Sequence, residues 1–268
     1  MSFGNFLIVF VPMLLFFITL LQLMPQVLLL IAEKLPQIRT ETVDMATFVA
    51  TLLRIVSVVG ASVLIYSLFG IYQEGVVIDN IGNKIMGAPK PYAQSLRSAL
   101  SRYPSLFVAA LLLTILSILV GVIPYVGWIL RLVVVCIFFV VYQGIVLDRL
   151  GFADGFKRSY QYLRGYASPF IVVYILTTIL AIIIAVIGLI PIGIAAVPLI
   201  PRMVSAFIPG EPSEILRALA ELLASPTVYL SFIIACVIWT VNELYTTYGI
   251  PTKLYLEIRE KSKEDRRV

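Results

Sequence analysis

Histidine is absent from this chain, and only 13% of its 268 residues are charged. The first lack removes the commonest general base, the usual zinc ligand and the side chain that ordinarily titrates between about pH 5 and 8. The second excludes a water-soluble globule, whose composition includes roughly 25% charged residues. Cysteine is nearly absent too. Cys136 and Cys236 each lie in an apolar stretch, where a thiol behaves as a small hydrophobe, so no disulfide framework or cysteine metal site is expected. There is no cluster of carboxylates and no nucleophile set beside a base. Neither a catalytic residue nor a bound metal or cofactor is therefore expected, and the chain reads as no enzyme.

What is abundant is apolar: 60% of residues are hydrophobic and the mean hydropathy is +1.02. These residues fall in blocks of about 20 or more, enough to cross a hydrocarbon core of about 30 Å as helix. The fold class expected is an all-α polytopic transmembrane helix bundle of about six spans, at about 6–32, 46–72, 105–123, 129–147, 169–190 and 227–249. The first block has no basic leader and is too long for a signal peptide's apolar region, so it counts as a span. Only Pro124, Tyr125, Val126, Gly127 and Trp128 separate the third span from the fourth, which leaves a re-entrant pair as the alternative. Residues 1–268 read as one integral membrane domain, with 250–268 a charged tail and solvated helical extension. Sparse amides and plentiful isoleucine fit a thermophilic source.

Orientation follows from Lys and Arg, which are retained in the cytoplasm. Lys84, Lys90, Arg97 and Arg102, then Arg149, Lys157, Arg158 and Arg164, then Lys253, Arg259, Lys261, Lys263, Arg266 and Arg267 place 14 on one side. Lys34, Arg39, Arg131, Arg202 and Arg217 place 5 on the other, and Arg54 falls within a span. Both termini are expected in the cytoplasm of a multi-pass cell-membrane protein.

Two of the basic loops carry a short amphipathic helix running into the next span. Tyr92, Leu96, Leu100 and Tyr103 form the expected apolar stripe of the first, and Phe156, Tyr160 and Leu163 that of the second. Helices of this kind lie in the headgroup plane, which makes Arg97, Arg102, Lys157, Arg158 and Arg164 candidate contacts for anionic lipid. The two units form an internal repeat: Arg97-Ser98 matches Arg158-Ser159, each is followed by a proline (Pro104, Pro169), a span, and an Ile-Pro exit (Ile123-Pro124, Ile190-Pro191). Such repeats frame midplane sites in transporters and serve equally in scaffolds. On the other side, a proline-rich loop at about 191–226 contains Pro198, Pro201, Pro209 and Pro212. After these prolines, within the same loop, Ser213 is the expected N-cap of a short helix to Ala224 with Leu216, Leu219, Ala220 and Leu223 on one face.

Polar residues inside spans are the default functional candidates, because lodging one at bilayer depth costs a few kcal/mol unless it is paired or hydrated. Arg54, Asn242, Glu243 and Gln143 form the candidate intramembrane polar site, with Gln22 and Gln26 as further hydrogen-bonding groups. Arg54 and Glu243 differ in depth by roughly 13 Å at 1.5 Å per residue, too far for a direct salt bridge.

The stretch Val146-Leu147-Asp148-Arg149-Leu150-Gly151-Phe152-Ala153-Asp154-Gly155-Phe156-Lys157-Arg158-Ser159-Tyr160, continuing through Leu163-Arg164-Gly165, resembles a signature of the membrane domain attached to some glycerophosphodiester phosphodiesterases. Stand-alone six-span relatives of that domain have no known function. Tyr255-Leu256-Glu257-Ile258-Arg259 is similar to the segment that closes it, and the likeness spans about 90–260. Asp148 stands where the family often has glutamate. The resemblance implies a six-span architecture. It does not extend to the phosphodiesterase barrel, for which the chain leaves no room after the sixth span and whose histidines are missing. The functional expectation is a non-enzymatic membrane module that organises lipid or partner proteins, or a subunit of a membrane assembly. The alternative is a transporter or channel subunit for a small or amphiphilic solute. Expected partners are membrane lipid and a second copy or another membrane protein; the short mixed-charge tail argues against nucleic acid.

Overall fold

The computed structural model describes residues 2–39, 45–201, 204 and 212–265, and among these every regular element is helical. Six stretches are long and apolar enough to cross a membrane: Phe3–Lys34, Phe48–Ile85, Tyr92–Gly121, Gly127–Leu147, Ala167–Ala196 and Pro226–Glu264. The protein is an all-α polytopic membrane bundle. The elements are α1 (Phe3–Arg39), α2 (Met45–Ile85), α3 (Tyr92–Gly121), α4 (Gly127–Ile137), α5 (Val141–Leu147), α6 (Phe152–Gly165), α7 (Ala167–Ala196), a 3₁₀ turn (Val197–Leu199), α8 (Pro212–Ala224), α9 (Pro226–Glu243), a π-helical turn (Leu244–Gly249) and α10 (Ile250–Glu264).

Several boundaries differ from expectation. α2 does not stop near Tyr72 but continues to Ile85, so Gln73–Asn83 is helix rather than loop. The last span runs through the π turn into α10, whose Pro251, Thr252, Leu254, Tyr255, Leu256 and Ile258 are buried. The segment expected to be a solvated tail therefore has a packed face. α7 continues past Pro191 to Ala196, so that proline lies inside the helix and closes nothing. Pro124 does follow the end of α3 at Gly121, and the proline exit thus holds for the first repeat unit alone. Arg202, Pro209, Arg266 and Arg267 lie outside the described residues.

The chain divides into two compact units. The first comprises residues 1–9, 68–184 and 241–268, and the second 10–67 and 185–240.

The second unit is packed with aromatic and aliphatic side chains. Phe16 stacks on Tyr66 with ring centroids 4.7 Å apart, and Phe17 meets Phe232 at 5.9 Å and Trp239 at 5.5 Å. Trp239 Nε1 donates to the Ala185 carbonyl at 3.1 Å. Its ring occupies the space that a side chain at Gly188 would fill, the close approach that a small residue in a membrane helix permits. Leu21, Ala195 and Val228 form a small core, closed in part by Leu222 and Leu223 of α8. That helix starts at Pro212, one residue ahead of the expected start, and buries Ala220 of the anticipated face.

The first unit is built differently. In α3 the buried positions before the apolar span are Ser95 and Ala99, and Leu100 of the expected stripe is 65% exposed. In α6 the buried side is Gly155, Ser159 and Tyr162, while Tyr160 is exposed. Small and hydroxyl-bearing residues thus take the fully buried positions, while Tyr92, Leu96, Tyr103, Phe156 and Leu163 of the expected stripes are half-buried and Leu100 and Tyr160 are exposed. The serines at matching repeat positions both reach back to the preceding span: Ser98 Oγ donates to Asp79 Oδ1 at 3.2 Å, and Ser159 Oγ to the Ile137 carbonyl at 2.8 Å. That second bond matters because Ile137 ends α4. The aromatic and β-branched run Phe138–Val140, poorly suited to helix, interrupts the span before α5 begins, and Ser159 satisfies a carbonyl that the interruption exposes.

Candidate functional site

Two interrupted spans carry a group of buried polar side chains within the first unit. The first interruption is the α4–α5 break. The second is the π turn Leu244–Gly249. It precedes Pro251, which has no N–H to offer the Thr247 carbonyl one helical turn earlier. Single π turns inside helices are frequent at functional sites.

Glu243 leads into the π turn, and Tyr248 within it donates its hydroxyl hydrogen to Glu243 Oε1 at 2.9 Å. Gln73 Nε2 of α2 donates to the same Tyr248 oxygen at 3.4 Å. Gln73 is 2% exposed, and its Oε1 has no partner. The neighbouring Glu74 is within Coulombic range of Glu243, and its Oε2 is sealed from solvent without a hydrogen bond. Tyr248 feels both carboxylates, and Tyr142 of α5 feels Glu74. One residue along, Gln143 is 2% exposed with an unpartnered Oε1. No basic side chain pairs with Glu74 or Glu243 among the described residues.

Burial of this kind is costly. An unsatisfied buried acceptor costs about 1–3 kcal/mol, and an uncompensated charge more. Two neighbouring carboxylates with inward-facing amide oxygens left over make a site rich in acceptors and poor in positive charge. Chemically it suits a proton or a small monovalent cation.

A cavity of about 390 Å³ lies beside the group, lined by Ala110, Leu113, Thr114, Ser117 and Gly121 of α3 together with Arg131 and Tyr142. Arg131 lies in α4 and Tyr142 in α5, so the cavity extends past the α4–α5 break. Tyr142 lines the cavity, and the next residue, Gln143, is one of the buried amides.

Of the expected intramembrane residues, Glu243 and Gln143 fall in this group. Asn242 donates through Nδ2 to the Ala181 carbonyl at 3.2 Å and accepts from Thr246, which fixes it as a helix-to-helix bond beside the π turn. Arg54 belongs to the second unit and is exposed. The residues that sequence reasoning passed over are Gln73, Glu74, Tyr142 and Tyr248. Further along α2, Asp79, Asn80 and Asn83 are also buried.

A second polar cluster fastens α10. Asp148, just past α5, accepts from Tyr255 Oη at 2.6 Å and from Arg259 Nη1 at 2.9 Å, and lies 3.9 Å from Arg158 Nη1. Arg158 also sits over the Tyr162 ring, 5.7 Å from its centroid, and donates to the Tyr162 hydroxyl. That hydrogen bond, aided by the Asp148 charge, raises the Arg158 pKa above its ordinary value and keeps it cationic. These pairs explain why the end of the chain is packed. They also occupy Arg158, whereas Lys157 and Arg164 remain exposed.

No family model, curated protein or solved structure matches the chain.

Proposed function

We propose that this membrane protein is a non-enzymatic transporter or channel subunit for a small or amphiphilic solute, in which the Glu74–Glu243 site binds a proton or monovalent cation during the cycle. The observation that carries the reading is the sealed, unpartnered Glu74 Oε2, next in sequence to Gln73, whose side chain shares the Tyr248 hydroxyl with Glu243. Interrupted spans around a buried polar site are a construction common in secondary transporters, and Gln143 and Glu243 lie next to the two interruptions here. The cavity lined by Tyr142, next in sequence to Gln143, offers room for a solute beside the same helix. In this reading both termini are cytoplasmic.

Proteoliposomes test it. An imposed pH or sodium gradient is expected to drive ion flux through the wild-type protein. Glu74→Gln and Glu243→Gln, which keep size and hydrogen-bonding capacity, are expected to suppress that flux while leaving the elution profile and helix content unchanged. Equal flux in wild type and both variants would remove the carboxylates from the mechanism.

A second reading, an organiser of lipid or partner proteins, draws on the exposed Lys157 and Arg164 of α6. It requires no ion flux at all, and the same liposomes separate the two. The resemblance to the phosphodiesterase-associated membrane domain is compatible with either.

A further inference from the structure

We propose that Lys90, Arg97, Arg102 and Arg149 form a binding site for a phosphate group, carried by an anionic lipid headgroup or by a soluble phosphate ester. This inference is independent of the carboxylate site.

The four cations line one cavity of about 400 Å³, together with Gln94, Ser98 and Ser101. That volume lies within the range of about 300–1,000 Å³ usual for small-molecule sites. No carboxylate lines it. Like charges are brought together at a cost unless a counter-charge joins them, and an anion with several acceptor oxygens is the natural complement.

A second basic cavity shows what neutralised cations look like. It is lined by Asp148, Arg158, Arg259 and Lys263, and there Asp148 pairs with both arginines. Among the described residues, no such pairing involves Lys90, Arg97, Arg102 or Arg149.

The hydroxyls in the lining are already committed. Ser98 donates to Asp79 beneath it, and Ser101 donates to the Ser98 carbonyl at 2.7 Å. Donors for an anion must therefore come from the cations and Gln94. The single Asp79 charge leaves the group strongly positive.

The backbone is held for the purpose. Arg149 has φ of 55°, a left-handed conformation that costs a non-glycine residue about 1–2 kcal/mol. It follows the C-cap of α5 at Asp148, a position where glycine is favoured. Arg102 Nη1 donates to the Arg149 carbonyl at 3.3 Å, tying α3 to this turn. An arginine kept in a glycine's conformation, and bonded to a second arginine, has a use in the guanidinium rather than in the turn. The N-terminus of α3 lies two residues from Lys90, and no side chain caps it.

The test uses the full-length protein in detergent. Binding is measured with radiolabelled inorganic phosphate, and lipid retention by native mass spectrometry with phosphatidylglycerol and phosphatidylcholine. The variant is Lys90→Gln with Arg97→Gln, both exposed positions, and the control is Lys253→Gln with Lys261→Gln, which removes equal charge from exposed positions of α10. The proposal expects the pocket variant to bind about tenfold more weakly and the control to differ by less than about twofold. Retention of phosphatidylglycerol over phosphatidylcholine, not displaced by inorganic phosphate, assigns the site to a lipid headgroup. Phosphate binding without lipid preference assigns it to a soluble ester. Equal losses in pocket variant and control would reduce the effect to general surface charge and overturn the site. Binding of neither probe by the wild type would do the same.

Discussion

The two units share α1, α2, α7 and α9, yet their interiors are opposites. Among the described residues of 10–67 and 185–240, the buried polar ones are Ser231 and Thr240. Ser231 bonds its own helix at the Thr227 carbonyl, and Thr240 meets the Met13 sulfur. In residues 1–9, 68–184 and 241–268 the buried set includes Asn5, Gln73, Asp79, Asn80, Asn83 and Gln143, and several of their polar atoms have no partner. One composition thus yields a dry packing unit and a polar one. Stability alone favours the dry solution, since an apolar interior leaves nothing unsatisfied. The polar unit is where binding chemistry belongs.

If that contrast is functional, variants in the two units should fail in different ways. The largest effect is expected from Glu74→Gln with Glu243→Gln, which should lower gradient-driven ion flux by about a hundredfold, equivalent to about 2.7 kcal/mol of barrier, with thermal stability held or raised. Flux assays in liposomes beside a melting curve check both halves. Next comes Asp148→Ala, which leaves Arg158 and Arg259 without their shared carboxylate and Tyr255 without its acceptor. A loss of about 2–3 kcal/mol is expected after discounting for partial exposure, and limited proteolysis should show α10 released first.

Gly155→Val follows. The added carbon at this glycine would lie 2.8 Å from Ile145 Cγ1 and 3.4 Å from the Val141 carbonyl, so α6 must shift from α5 at a cost of about 1–3 kcal/mol. The smallest effect is expected from Trp239→Phe in the dry unit. It removes one hydrogen bond to Ala185 while keeping an aromatic ring, lowering stability by about 1 kcal/mol and leaving flux unaltered. A flux defect in that variant, matched by none in the carboxylate pair, would invert the comparison.

How far the sequence disclosed this depends on which physical signal each residue carries. The membrane helices were legible because unbroken apolar runs have one stable solution in lipid, with every backbone group satisfied internally. Glu243 stood out as an acid inside such a run. Glu74 did not, because Gln73, Glu74, Asp79, Asn80 and Asn83 ended the apolar window of α2 and resembled a loop. The clue was periodicity: Gln73, Val76, Val77, Asn80 and Asn83 recur at helical spacing and are all buried. The packed face of α10 was similarly concealed, with Leu254, Tyr255 and Ile258 on one side of a segment whose charges alternate. The π turn and the α4–α5 break left no reliable trace in hydropathy, because the run Phe138–Val140 is itself apolar and Pro251 lies beyond the apolar window. Arg54 is the converse case: its place inside a span drew attention, and its side chain is simply exposed.

The most direct measurement is charge movement on a solid-supported membrane. Purified protein in liposomes is adsorbed, and a sodium or pH jump is applied with no other solute present. Ion entry into the Glu74–Glu243 site predicts a transient current in the wild type that vanishes in the Glu74→Gln, Glu243→Gln protein and persists in Trp239→Phe. A current of the same size in the carboxylate variant, or none in the wild type, would contradict the account.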